Sequence, residues 1–126
     1  MQYLMLLSHA PDAWENPEAP QSEDWGAYTL ALQEAGIMVS GAGLQGADVA
    51  TTVRVRGGER LLTDGPFADT KEHLIGFYVI DVPDLDTALE WAAKVPNVRT
   101  GSVEVRPVMP DAAAARADST AAAAAG

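Results

Sequence analysis

Four charged side chains fall within nine positions in Asp64-Gly65-Pro66-Phe67-Ala68-Asp69-Thr70-Lys71-Glu72. Carboxylates in a short loop suit proton transfer when partial burial raises the pKa of one of them. Asp64 is the first candidate. It opens an Asp-Gly-Pro turn, in which Pro fixes its own φ and Gly supplies conformational freedom. The same turn offers Asp64 a purely structural role, accepting hydrogen bonds from the local backbone. Lys71 and Glu72 read either as ligand-binding groups or as a solvated pair. The chain holds two histidines, His9 and His73, and an imidazole titrating near neutrality is a usable base. His9 follows the first apolar run, at a strand-to-loop junction, and is the second catalytic candidate. Ser40, Trp25 and Tyr78 are candidates to line a pocket. Their alternatives are a turn or surface serine and aromatic residues of the core.

Several chemistries are excluded or disfavoured. There is no cysteine, so thiolate chemistry and disulfides are absent. No serine sits in a nucleophile elbow. No spacing of His, Asp and Glu resembles a closed zinc site. Gly41-x-Gly43-x-x-Gly46 spells a dinucleotide fingerprint, but Ala50-Thr51-Thr52-Val53-Arg54-Val55 follows it. That is strand sequence, whereas the motif needs a helix N-terminus aimed at the pyrophosphate. The glycines read instead as a flexible or bulged connection, and no cofactor is expected.

The formal charge is −10, and no Lys or Arg precedes Arg54. Such a surface repels phosphate backbones, so nucleic acid is an unsuitable partner. Arg54, Arg56, Arg60 and Lys71 form a basic cluster near Asp64 and leave room for an anionic ligand there. The apolar run Met1–Leu7 is too short for a membrane span and has no basic segment before it. A cytoplasmic, non-membrane protein is expected.

The elements that must hold these residues follow from periodicity. Tyr3 to Leu7 reads as a buried strand, and the proline-rich stretch to Gln21 as a loop. Ser22 is placed to cap a helix, with Glu23 and Asp24 in its first turn. Trp25, Tyr28 and Leu32 share one helical face, and Gly36 ends the helix. Ile37 to Ser40 begins a strand. Gly41 to Gly46 reads as flexible. Ala50–Arg56 and Glu59–Thr63 form a hairpin around Gly57-Gly58, with Arg56 opposite Glu59. Leu74 to Asp81 is the central strand. Pro83 and Asp84 open a second helix, whose apolar positions are Leu85, Ala88, Leu89, Ala92 and Val95 and which Pro96 stops. Ser102 to Val108 is the last strand. A domain over 1–109 is followed by an alanine-rich, low-complexity tail, 110–126.

Strand, helix, strand, inserted hairpin, strand, helix, strand is the order of a ferredoxin-like α+β sandwich. Two helices cover one sheet face. Yet Tyr3–Leu7 and Leu74–Ile80 carry apolar side chains toward both faces. The second face therefore calls for a homodimer whose sheets pack face to face.

Together these residues resemble the YCII-related proteins, in particular the DGPF branch. The resemblance rests on the Asp64–Glu72 block, on Gly76-Phe77-Tyr78-Val79-Ile80-Asp81, on Leu89-Glu90-Trp91-Ala92 and on Gly101–Pro107. It covers roughly residues 1 to 108. It implies a dimeric α+β barrel and a small-molecule enzyme in which a His–Asp pair lies at a cleft. The wider family includes a dehydrochlorinase-type lyase. Genes of the branch often lie near extracytoplasmic-function sigma factors. The family histidine lies on the first helix, eleven positions before its closing glycine, where this chain has Trp25. The family aspartate has Asp64 as its nearest counterpart.

The expectation is a small-molecule site at a dimer cleft. Asp64 or His9 would move a proton in a lyase or isomerase step, and Trp25, Ser40, Lys71, Glu72 and Tyr78 would contact the ligand. The alternative is a non-catalytic ligand-binding or regulatory module with a sigma factor as partner.

Overall fold

In the first strand, β1 (Gln2–His9), burial alternates strictly. A strand has a side-chain period of two, so this pattern places Tyr3, Met5, Leu7 and His9 on one face and Leu4, Leu6 and Ser8 on the other. The computed structural model describes residues 1–66 and 71–110. Residues 67–70 of the charged loop and the alanine-rich stretch 111–126 lie outside the described residues. Among the described residues, β2 (Met38–Gly43), β5 (His73–Asp81), β1 and β6 (Gly101–Pro107) form an antiparallel sheet in the order β2-β5-β1-β6. That is the strand order of the ferredoxin-like fold. β5 and β1 are central.

Two helices pack on the face carrying Tyr3, Met5, Leu7, Tyr78 and Ile80. The first, α1 (Ser22–Glu34), buries Tyr28 and Leu32, two of the three residues on the predicted stripe. Trp25 is half-buried. Ser22 is the first helical residue and does not cap. Gln21 does: its N–H donates to the Asp24 carboxylate at 2.7 Å, and its own side chain accepts from the Asp24 N–H. A reciprocal cap needs an acceptor three residues on, which Asp24 supplies to Gln21. Ser22 would find Trp25 there. At the other end Gly36 takes φ +70°. The N–H groups of Gly36 and Ile37 reach the carbonyls of Gln33 and Leu32, closing the helix in a Schellman motif.

The second helix, α2 (Leu85–Ala92), is capped by Asp84, whose carboxylate accepts from the Thr87 N–H at 2.8 Å and the Thr87 hydroxyl at 2.7 Å. It buries Ala88 and Ala92, with Val95 just beyond, while Leu85 and Leu89 stay 46% exposed. The small alanines are what allow close approach to the sheet. The two leucines lie on the adjacent stripe.

Gly41 to Gly43 are not a flexible link. They continue β2, with Gly41 opposite Tyr78 and Gly43 opposite Gly76. The backbone finds its hydrogen bonds on β5, and the missing side chain is needed there: a Cβ on Gly41 would lie 2.7 Å from the Tyr78 ring. A short 3₁₀ turn (Ala47–Val49) then leads to β3 (Thr51–Arg56) and β4 (Glu59–Asp64). This hairpin is a separate two-stranded sheet. Gly57 and Gly58 both have positive φ, as a two-residue type I′ turn requires, and Arg56 pairs with Glu59. Among the described residues, no helix is long and apolar enough to cross a membrane.

The core beneath the sheet centres on Leu32, which is fully buried together with Met5 and Ile80. Truncating it leaves a cavity among neighbours that cannot collapse. Leu32→Ala is expected to lower unfolding free energy by about 2–5 kcal/mol in chemical denaturation, without changing the denaturant slope.

Candidate functional site

A cavity of about 1010 Å³ opens where the last residues of β1, the edge strand β2 and the first half of β5 meet α1. It is at the large end of small-molecule sites. His9, Trp14, Trp25, Met38, His73 and Tyr78 are among the residues that line it.

His9 arrives there through strand alternation. It is the last inward residue of β1 and only 6% exposed. It lies directly opposite His73 on β5 and opposite Gly101 on β6. The chain then turns through the 3₁₀ segment Ala13–Glu15, which brings Trp14 edge-on to the imidazole at 4.7 Å and 85°. Trp14 itself is 66% exposed, so it stands at the mouth. Burial pushes the His9 pKa below the usual imidazole value, Glu72 partly restores it, and His73 lowers it further. The neutral imidazole is therefore favoured, which is the form that accepts a proton.

Asn97 holds the far side of this junction. It is fully buried, and its amide donates to the Ser8 carbonyl at 3.1 Å. The Gly101 N–H donates to the Asn97 carbonyl at 2.7 Å. Gly101 has no room for a side chain, since a Cβ would lie 2.2 Å from the Ser8 carbonyl oxygen. These contacts clamp the backbone on which His9 rides.

Tyr78 forms another wall. Its hydroxyl shares a 2.8 Å hydrogen bond with Thr29 of α1, and its ring packs edge-on to Tyr28 at 5.4 Å. Tyr28 donates to the Trp91 carbonyl at 2.8 Å. Burial first, and the charge of Tyr78 second, push its phenol far above the ordinary value, so it serves as a fixed donor.

Of the residues singled out in the sequence, the cavity brings together His9, Trp25 and Tyr78. Asp64 is exposed at the end of β4 and is not part of this lining. The turn it opens is held by a backbone bond from the Gly65 N–H to the Ala50 carbonyl and by a side-chain bond from the Thr52 hydroxyl to the Gly65 carbonyl. Ser40 is exposed opposite Val79, on the sheet face away from the helices. Lys71 is exposed. Glu72 accepts from the Ser102 hydroxyl at 2.5 Å and borders a smaller recess of about 430 Å³ on that outer face, with Ser8 and Ser102. Asp69 lies outside the described residues. Trp14, Thr29, Gly41 and Asn97 were not legible as site residues. Trp14 sits in a proline-rich stretch without periodicity, Gly41 is placed by strand register, and Thr29 on α1 and Asn97 in the loop before β6 gain their roles only from tertiary contacts. Among the described residues, no three His, Asp or Glu side chains gather as metal ligands would.

The fold and this pocket define a small α+β protein with a histidine-bearing apolar cavity at the end of its sheet. The model of the YCII-related domain matches residues 1–112, and the chain belongs to that family. An uncharacterised protein of Rhizobium meliloti (strain 1021) is 42% identical over 99 residues, which is 76% of this chain and 80% of that one. Among solved structures, the 5-chloro-2-hydroxyhydroquinone dehydrochlorinase of Burkholderia phenoliruptrix, in complex with 2,5-dihydroxybenzoquinone, superposes with a TM-score of 0.51. That likeness covers 86% of this chain and 94% of that chain at 13% identity, so it speaks to the fold alone.

The lowered His9 pKa has a thermodynamic sign. The unfolded chain binds the His9 proton more readily than the native one, so this group favours the native state at neutral pH. That contribution is present above the ordinary imidazole value of 6.5 and is lost as pH falls from there through the lowered native value. An NMR titration of the two histidines is expected to place His9 below that value. Denaturation midpoints measured from pH 7.5 to 5 should fall less in His9→Gln than in the parent chain.

Proposed function

We propose that the cavity binds a small oxygenated ring and that His9 moves a proton in a lyase or isomerase step. The observation that carries this reading is a buried, neutral-leaning imidazole at the wall of a large apolar cavity, with Trp14 edge-on to it. The structural likeness to a dehydrochlorinase bound to 2,5-dihydroxybenzoquinone supports the ring class. Trp14, Trp25 and Tyr78 offer flat surfaces, and the Thr29–Tyr78 hydroxyl pair offers a polar contact. The proton-transfer role falls to His9, because Asp64 stands outside the cavity. Asp64 then serves chiefly its own turn. Ser40, Lys71 and Glu72 would enter ligand binding only through a rearranged loop or a second copy. The DGPF signature and a cytoplasmic location belong to this reading as well.

A homodimer is part of the proposal. Leu4, Leu6, Phe77 and Val79 lie on the sheet face that neither helix covers, and face-to-face packing of two sheets would bury them. The second reading is a regulatory module with a protein partner such as a sigma factor. It is favoured by the projecting hairpin, where Val53, Val55 and Leu62 share one face at 58, 61 and 60% exposure.

Calorimetry with 2,5-dihydroxybenzoquinone tests the site. Binding by the parent chain, weakened about tenfold or more in His9→Gln and unchanged in Asp64→Asn, is the expected result. No binding to the parent chain, or equal binding by His9→Gln, refutes it. Recovery of one protein partner, lost in Val53→Asp, would favour the module. Light scattering at micromolar concentration is expected to give twice the chain mass of 13.2 kDa. A monomer mass would defeat the dimer.

A further inference from the structure

We propose that His73 is the second proton-transfer residue of this site, working with His9 as a cross-strand imidazole pair. This rests on the reading of the cavity given above and adds to it the group that completes the chemistry.

The pair is built by register. β1 and β5 run antiparallel, and their pairing would place Ser8 opposite Ile75 if it ran uninterrupted from Leu7–Gly76. Instead the register shifts between Leu7 and Ser8, so that Ser8 faces Leu74 and His9 faces His73. Directly opposed residues of an antiparallel pair project to the same face. Both histidines line the large cavity. Without the irregularity His9 would oppose a different residue, and a one-residue slip exchanges the two faces of a strand. Bulges next to sites re-aim side chains in this way.

The two imidazoles stand in unlike surroundings. His9 is buried beneath Trp14. His73 borders both the cavity and the smaller recess on the outer face, which Glu72 also lines. Among the described residues, the charged and titratable groups around His9 are His73 on β5, Glu72 before it, Tyr78 farther along β5 and Asp48 of the 3₁₀ turn. From α1 the cavity receives the uncharged Thr29 and Gln33. Glu72 and His73 both act on the proton affinity of His9, the first raising it and the second lowering it.

The chemistry that needs such a pair is elimination or tautomerisation. Neutral His9 takes a proton from carbon or from a ring hydroxyl. The released electron pair forms the new double bond, and the bond to the leaving group breaks. Protonated His73 gives its proton to that group, which departs as HX. In an isomerisation the same proton goes to the far end of the conjugated system, and nothing leaves. Either way no oxidant or reductant is required, and proton exchange with solvent resets the pair.

With only two histidines in the chain, imidazole NMR of the full-length protein resolves each, assigned through H9Q and H73Q. Removing His73 takes away a like charge, so the His9 midpoint should rise by a few tenths of a pH unit or more in H73Q. Added 2,5-dihydroxybenzoquinone should perturb both imidazoles. Protein-catalysed deuterium uptake at its ring carbons should fall about 10²-fold in either variant, while its affinity falls less in H73Q than in H9Q. H73N serves as a second variant should H73Q fold poorly. A His9 midpoint that H73Q leaves within about 0.2 units overturns the pair, whether or not the probe binds. Full deuterium uptake in H73Q, with H9Q inactive, overturns the pair and leaves the His9 site standing. If the parent chain binds no probe, the ring-binding reading fails, and the proton-transfer role of His73 fails with it.

Discussion

The antiparallel pairing of β1 with β5 is the constraint from which the rest of the molecule follows. Each strand presents side chains alternately to two faces, so one register decides both what is buried and what is offered to a ligand. In this register Tyr3, Met5 and Leu7 meet Ile80, Tyr78 and Gly76 beneath the helices. Gly76 is part of the same arrangement, because a side chain there would strike the Ala42 carbonyl of β2 at 2.8 Å. Beyond Leu7 the register shifts, and the histidines come opposite one another where the core gives way to the cavity. Packing and site are two stretches of one ladder.

Much of the fold was legible because its signals are local. The apolar run Tyr3–Leu7, the stripe Trp25, Tyr28 and Leu32, the Gly36 stop, the Gly57-Gly58 turn and the Asp84 cap are each written within a few residues. The departures have non-local causes. Gly41–Gly43 look like a hinge in sequence, yet they are strand because β5 supplies hydrogen-bond partners. Leu85 and Leu89 fit the helical period as well as Ala88 and Ala92 do. The helix nonetheless turns its small residues to the sheet, because close approach is what that interface needs. Choosing Gln21 over Ser22 as cap depended on which residue lies three positions ahead.

The site was less legible than the fold. The Asp64–Glu72 block attracted attention through its density of charge. Charge density in a loop says little about which cavity the loop borders, and the residues of the cavity come from four separated segments. His9 stood out because it follows a buried strand at a strand-to-loop junction. His73 was visible as a residue type, but its position depends on a pairing between strands more than sixty residues apart. Asn97 was invisible, since an asparagine in a loop becomes a clamp only when the Ser8 carbonyl arrives beside it.

The hairpin of β3 and β4 satisfies its ladder internally and leaves most of its side chains exposed, while the four-stranded sheet completes its own hydrogen bonds without it. The chain thus carries two regions with very different tolerance to change in length. Adding or removing a residue within β5 would exchange the faces of a central strand and disrupt core and cavity together. At the Gly57-Gly58 tip an added residue alters one turn and propagates nowhere. For engineering, the tip is the natural place to graft a peptide or a fluorescent reporter. Over evolutionary time it is where a lineage is free to vary the appendage while the sheet keeps its dimensions.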